Sequence, residues 1–287
     1  MKPRVTIGIP FRNPGPYFEL ALKSVFSQTF TDWELILVDD GSTDNSLALA
    51  RSLKDPRVRV YSDGLAKRVN FRLNEISAMA QAPYIFRMDA DDIMHPERVE
   101  RQYSEIIRLE SNSVVGTGAY SIDASSRVVG VRPGRAKLRE FGLSQTFIHP
   151  TVAASTEWFR RNPYSESFVF HRAQDAELWC RAASHSNFVN LPDALLYYRE
   201  AGVFSYENYI GAQLGLIFLL RTQFSHSRMR FLSDLFKRLS RIFIVSAADV
   251  LGRAESIVGR RYTPLASEQR HQAEDDLARV LSCPLPI

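Results

Sequence analysis

An apolar run, Tyr84-Ile85-Phe86, feeds straight into Arg87-Met88-Asp89-Ala90-Asp91-Asp92, so three carboxylates crowd the end of a short strand pattern. Like charges this close resist ionising together unless water solvates them or a cation neutralises them. A strand that delivers carboxylates at its C-terminal end, i and i+2 on one side, is a good mount for a hard divalent ion held by oxygen ligands. A solvated acidic turn, capping a helix that begins near Pro96, accounts for the same residues without any ligand.

A second acidic site lies upstream. Residues 33–38, WELILV, read as a buried strand that ends in Asp39-Asp40-Gly41-Ser42-Thr43-Asp44-Asn45-Ser46. Gly41 supplies the turn, Ser42 or Thr43 can cap a helix starting near Asp44, and Asp39 is left at the strand's C-terminal edge. Ligands of open parallel sheets bind at that edge.

These two segments belong to a regular rhythm. Strand patterns at 4–10, 33–39, 58–61, 84–88 and 114–120 alternate with helix patterns at 17–28, 44–53, 71–80 and 96–109. Shorter strands are expected at 127–131 and 195–200, and short helices at 156–161 and 175–184. The alternation predicts an α/β fold, a mostly parallel sheet with helices on both faces. With 287 residues and 45% hydrophobic content the chain can bury a full core. Residues 1–204 are expected to form one catalytic domain and 205–287 a basic helical C-terminal extension.

Several classes are disfavoured. The first turn, Pro10 to Tyr17, holds one glycine and no GxGxxG, and no GxxxxGK[ST] occurs, which argues against dinucleotide-binding dehydrogenases and P-loop enzymes. Cys180 and Cys283 give neither a disulfide framework nor a zinc spacing. The most hydrophobic stretch, 210–220, is shorter than the roughly twenty residues a membrane helix needs, and MKPRVTIGIP lacks a signal peptide's apolar core. A cytoplasmic location is expected. Nucleic acid is not expected as a partner, because no RNA-binding signature, zinc-finger spacing or basic region leading into heptads is present.

Taken together, IPFRN at 9–13, WELILVDDGSTDNS and YIFRMDADD resemble the N-terminal half of the family 2 glycosyltransferases, the A-type group that uses nucleotide sugars. Phe71-Arg72-Leu73-Asn74, Pro96-Glu97-Arg98, His149-Pro150-Thr151 and Gln174-Asp175-Ala176-Glu177-Leu178-Trp179 follow in the family's order, and the likeness covers residues 3–200. Ala82-Pro83 stand where a glycine is usual, and Gln174 where Glu is commoner.

The resemblance implies an A-type fold, a nucleoside diphosphate sugar donor with UDP-sugar favoured, a divalent cation (Mn2+ or Mg2+), and a glycan or lipid-linked acceptor. It implies that backbone around Pro10 holds the nucleotide, that Asp39 accepts from a base N–H, and that Arg72 faces phosphate oxygens. An exposed helix arginine is the alternative for Arg72. Asp91 is the implied metal ligand, with Asp89 toward the donor sugar or the metal's water shell; Asp92 has an alternative role as a cap or packing group. The departing diphosphate needs such a cation, and the attacking hydroxyl needs a proton acceptor.

Asp175 is implied as that base. Leu178, Trp179, Ala182 and Ala183 make one apolar face, which puts Asp175 at a helix start where the macrodipole favours a carboxylate. A cap aspartate is the alternative. Glu177, two residues along, points elsewhere. A single displacement with Asp175 as general base inverts the anomeric centre. His149 has an implied binding role beside the alternative of a hydrogen-bonded loop histidine. Sugar choice is assigned to loops at 120–147 and 162–171.

The tail changes character. Between Arg221 and Arg261 nine Lys or Arg face three Asp or Glu. Phe231, Leu235, Leu239, Ile242 and Phe243 fall near one helical face with Arg230, Lys237, Arg238 and Arg241 around it. Peripheral contact with anionic membrane is one expectation, and packing on the catalytic domain is the other. Outside this enzyme class stands a binding module for sugar nucleotides or glycans without turnover; a nucleotidyltransferase would need a glycine-rich first loop.

Overall fold

The computed structural model describes residues 2–134, 147–200, 205–223, 228–258 and 262–287. Part of the expected 120–147 loop, residues 135–146, and the junction at 201–204 lie outside the described residues.

The first half follows the predicted rhythm: β1 (Val5–Phe11), α1 (Tyr17–Phe26), β2 (Trp33–Asp39), α2 (Ser46–Ser52), β3 (Val58–Ser62), α3 (Val69–Met79), β4 (Tyr84–Arg87). Then come β5 (Ile93–Met94), α4 (Arg98–Ile106), β6 (Ser113–Ile122), β7 (Val128–Arg132), β8 (Ala153–Ser155), α5 (Thr156–Arg161), α6 (Gln174–Ala182) and β9 (Asn187–Arg199). The tail contributes α7 (Tyr206–Gln223), α8 (Arg228–Val250), α9 (Ala254–Val258) and α10 (Ser267–Leu281).

One sheet runs β3-β2-β1-β4-β8-β6-β9-β5, with β7 paired to β6. The pairs β3–β2, β2–β1 and β1–β4 are parallel. Beyond β4 the sheet is mixed, since β8 is antiparallel to both β4 and β6 while β6 and β9 are parallel. The expectation of a mostly parallel sheet therefore holds only for the half from β3 to β4. Short β8 was not legible as a strand, and it is the element that reverses direction.

Burial explains the sequence pattern. Val5, Ile7, Ile9 and Phe11 pack with Phe18, Leu22 and Val25 of α1 on one face, and Ile36 and Val38 pack with Leu73 and Ile76 of α3 on the other. β2 is buried along its whole length, which is why WELILV is apolar but for Glu34, whose carboxylate bonds Thr6 and Arg59. Helix α3 lies so close to β1 that a Cβ at Gly8 would sit 2.5 Å from Ile76 Cγ2.

The tail does not behave as one extension. Helix α10 returns to the sheet, burying Ala273, Leu277 and Val280 with Ile93, Ile122, Val128 and Tyr197. The Tyr197 hydroxyl donates to the Ala273 carbonyl at 2.8 Å. Helices α7 and α8 instead pack on each other and on α6 and α9.

Candidate active site

Parallel pairing brings the C-terminal ends of β1, β2 and β4 to one edge, with Phe11 opposite Asp39 and Gly8 opposite Arg87. The loops there are laced together by the polar side chains that the sequence places after each strand. Asn13, at φ 48°, accepts from the backbone N–H groups of Thr43 and Asp44 at 2.7 and 3.3 Å. The Ser42 hydroxyl accepts from Asn13 N–H at 3.2 Å, so Ser42 and Thr43 join the first loop instead of capping α2, as the sequence suggested. Gly41 supplies the turn at φ 74°, as expected.

Asp39 is 1% exposed. Its carboxylate accepts from Ser42 N–H at 2.9 Å and from the Ser62 hydroxyl at 2.8 Å. Pro10 is buried in β1 directly opposite Val38. Asp40, which the sequence reading passed over, accepts from Lys67 N–H, Arg68 N–H and Arg72 Nε, and so ties the β2 edge to the start of α3.

Arg72 is neither an exposed helix arginine nor an open phosphate ligand. Its side chain is 2% exposed and donates to Asp40, Asp63, Glu75 and the Leu65 carbonyl. These acids hold its charge more firmly than usual against the cost of burial. The reason lies in tertiary structure: Asp63 and Asp40 arrive from other loops and use the guanidinium's donors inside the protein.

The acidic cluster converges as the strand end predicts. One oxygen each of Asp89, Asp91 and Asp92 lies within 4.8 Å of the others. Arg87 clamps Asp89 with bonds of 2.6 and 3.0 Å. Burial and the Asp89 charge push the Asp91 carboxyl up to about 6. Asp92 is driven well above the ordinary range by burial and then by Asp91 and Asp89. One Asp92 oxygen accepts from Arg199 N–H at 2.8 Å, fastening the cluster to β9, whereas the other is buried without a hydrogen-bond partner. Oxygen donors that repel one another, one of them orphaned, fit a divalent cation. Asp92 thus combines the packing role expected of it with a place among the candidate ligands.

Asp89 also lines a polar cavity of about 350 Å³ with Asp175, His149, Arg87, Arg132 and Tyr198. Asp175 sits in the first turn of α6, as the apolar spacing predicts. Burial raises its pKa and Arg87 partly offsets the rise. Glu177 points away and bonds Arg181 at 2.7 Å. His149 is half-buried, its pKa pulled well down by desolvation and by Arg87, and its Nε2 lies 2.8 Å from the Tyr164 hydroxyl. Asn74 of the FRLN segment holds Tyr164 in turn, bonding both its N–H and its carbonyl. Arg87, Arg132 and Tyr198 of the wall, and Tyr164 bonded to His149, were not singled out in the sequence, because a site assembled from distant segments leaves no local pattern. A second cavity of about 350 Å³, lined by Lys2, Trp33 and Arg57, lies at the strands' N-terminal ends away from these groups.

Residues 6–168 match the family profile described as Glycosyl transferase family 2. The chain belongs to glycosyl transferase family 2. Among its relatives, the putative glycosyltransferase EpsE of Bacillus subtilis is 30% identical over 208 residues, 69% of this chain and 73% of that protein. WfgD of Escherichia coli, described as a UDP-Glc:alpha-D-GlcNAc-diphosphoundecaprenol beta-1,3-glucosyltransferase, is 26% identical over 64% of this chain and 71% of its own length. A mannosyltransferase from Pyrobaculum calidifontis, solved with GDP-Man and Mn2+, superposes with a TM-score of 0.60 at 12% identity, covering 99% of this chain and 86% of that one. The A-type fold of this family 2 glycosyltransferase is thereby established, with a helical C-terminal part. No helix among the described residues is long and apolar enough to cross a membrane.

Proposed function

We propose that this glycosyltransferase moves a sugar from a nucleoside diphosphate sugar, with UDP-sugar favoured, to a glycan or lipid-linked acceptor, with inversion at the anomeric carbon. The observation that carries the reading is the shared cavity: Asp89 of the acidic cluster and Asp175 of α6 line the same space. One end is suited to a charged leaving group and the other to a proton acceptor. The UDP-Glc donor and diphosphoundecaprenol-linked acceptor of WfgD, and the Mn2+ in the mannosyltransferase complex, support the same assignment.

In this reading Asp91, Asp89 and Asp92 hold a divalent cation, which when bound neutralises charge growing on the departing diphosphate. Backbone around Pro10 and the edge at Asp39 take the nucleotide. Each carboxylate oxygen has two lone pairs, so the bonds from Ser42 and Ser62 leave Asp39 capacity to accept from a base N–H. His149, kept neutral and fixed by Tyr164, offers a hydrogen bond to the sugar. Arg72 holds the loops that frame the nucleotide.

Asp175 removes the acceptor hydroxyl's proton as that oxygen attacks the anomeric carbon from the face opposite the diphosphate. The new C–O bond forms, the bond to the diphosphate oxygen breaks, and its electron pair leaves with the nucleotide. The transition state carries oxocarbenium character, as in glycoside hydrolysis.

Calorimetric titration with UDP, GDP and dTDP, each with manganese and with chelator, tests the donor side. Metal-dependent binding of one diphosphate is expected. Failure of all three to bind would overturn the donor assignment.

A further inference from the structure

Strand β9 ends at Arg199, in register with Ile122 at the end of β6. That register delivers the side chain beside the loop of Asp89, Asp91 and Asp92, where Arg199 is 4% exposed. Its Nε donates to the Asp91 carbonyl at 2.8 Å, and its backbone N–H donates to the Asp92 carboxylate at the same distance. Its Nη1 donates to the Asp123 carbonyl at 2.9 Å and to the Ser126 hydroxyl at 3.1 Å, both in the turn between β6 and β7. The guanidinium carbon lies 4.0 Å from the ring centroid of Tyr17, the first residue of α1.

The two segments that Arg199 joins differ in how firmly they are held. The Asp123 carboxylate accepts from the N–H groups of Ser125 and Arg127 at 2.9 and 3.0 Å, and the Asp123 carbonyl accepts from Ser126 N–H, so the β6–β7 turn is tied within itself. The aspartate loop instead runs from β4 into β5, a strand of two residues. A side chain that spans from one to the other lends the loop the rigidity of the turn.

Packing alone does not call for an arginine here. Nη2 is buried without a hydrogen-bond partner, and a buried charge with an unmet donor costs stability against an apolar side chain of similar length. The bonds that Arg199 does make are selective. Arg87 bonds the carboxylate of Asp89, whereas Arg199 bonds Asp91 through the main chain and leaves the Asp91 carboxylate oxygens to a cation.

We propose that Arg199 is a positioning residue for the divalent cation: it pins the backbone of Asp91 and the carboxylate of Asp92 to the β6–β7 turn and so sets where the ligand oxygens stand. A guanidinium has no acceptor to offer a metal, so Arg199 acts through the aspartates alone. Groups that orient metal ligands from behind typically carry about 10–100-fold of metal affinity. The stack on Tyr17 extends the same clasp to the helix that follows the first loop, at the edge where the nucleotide is proposed to lie. The assignment rests on the reading that Asp89, Asp91 and Asp92 hold a divalent cation.

Manganese chloride titrated into the full chain, with the paramagnetic resonance signal of the free ion as readout, measures uptake without turnover, in the presence and absence of UDP and against protein-free blanks. Wild-type uptake is expected, and Arg199→Met should weaken it by about 10–100-fold. Arg199→Lys keeps the charge and a donor for the Asp91 carbonyl but cannot fork to the turn, so its affinity should fall between the two. It carries the test alone where Arg199→Met does not fold. Val25→Ala, a core truncation outside this clasp, should melt lower and keep wild-type uptake. Uptake by Arg199→Met no weaker than that of Val25→Ala, or uptake by Arg199→Lys equal to the wild type's, would overturn the assignment of Arg199 alone. Wild-type protein that takes up no manganese in either condition would overturn the cation reading and the assignment with it.

Discussion

Arg87 grips Asp89 through both ends of its guanidinium, at 2.6 and 3.0 Å, while burial and the Asp89 charge oppose the ionisation of Asp91, two residues on. The two aspartates therefore have opposite effects on the cation-free protein. Asp89→Asn strips the 4% exposed Arg87 of its counter-charge and should cost about 2 kcal/mol, discounted for the partial exposure of Asp89. Asp91→Asn removes a repulsive charge and should stabilise by about 1–2 kcal/mol at pH 7, since its folded pKa of about 6 lies above the unfolded value. Both should weaken manganese-dependent donor binding. Denaturant titration in chelator, paired with calorimetry in manganese, separates the two effects; equal destabilisation by both variants would refute the division.

Asp175 should act in the transition state and not in donor binding. Asp175→Asn is expected to leave UDP affinity nearly unchanged and to lower kcat by about a hundred- to ten-thousandfold. Burial raises the Asp175 pKa, so the proton must leave at a higher pH than from an ordinary aspartate. Activity should therefore climb with pH along an acid limb displaced upward, through the raised value. The sign carries over to stability. The folded chain holds this proton more tightly than the unfolded chain does, so stability falls as pH rises from the ordinary aspartate value through the raised one. Asp175→Asn should flatten that slope, and a pH series of melting curves on both proteins would reveal a slope that persists.

Arg72 gives a prediction of the opposite kind. Removing a buried guanidinium that answers Asp40, Asp63 and Glu75 leaves Asp40 with only the backbone donors of Lys67 and Arg68. Arg72→Ala should cost about 3 kcal/mol, while the folded fraction loses UDP affinity only modestly, through the loosened loops, and Arg72→Lys should recover part of both. A large loss of affinity in the folded fraction would restore a direct phosphate contact.

The burial of Arg72 also shows what the sequence can and cannot convey. Strands β1, β2 and β4 were legible because a strand buried on both faces is predominantly apolar, and the carboxylates after β4 were legible because their crowding is local. The position of Asp175 at a helix start was legible because the apolar spacing of α6 fixes where that helix begins, whereas its role as a base was implied by the family resemblance alone. Arg72, by contrast, takes its environment from Asp40 and Asp63, and nothing within its own helix foretells that. Strands β5 and β8, of two and three residues, are too short for a period to emerge. Helix α10 is polar except at Ala273, Leu277, Ala278, Val280 and Leu281, so its return to the sheet depends on an apolar patch around Tyr197 assembled by other elements.

Gly116 of β6 tests how closely the cavity wall is fitted. A Cβ there would lie 2.3 Å from Phe147 Cδ1 and 3.0 Å from Asn190 Oδ1, so the Phe147 ring has to move. Phe147 lines the cavity and packs edge-on against Trp179, which lies one turn along α6 from Asp175. Gly116→Ala should therefore cost about 1–3 kcal/mol by overpacking, and it should also displace the helix that presents Asp175. A base misplaced by a fraction of an ångström loses rate more than affinity. The expected signature is a kcat reduced by about tenfold or more with donor binding retained, measured below the variant's melting transition. A variant with unchanged kcat and only lower stability would show that Phe147 moves without carrying α6 with it.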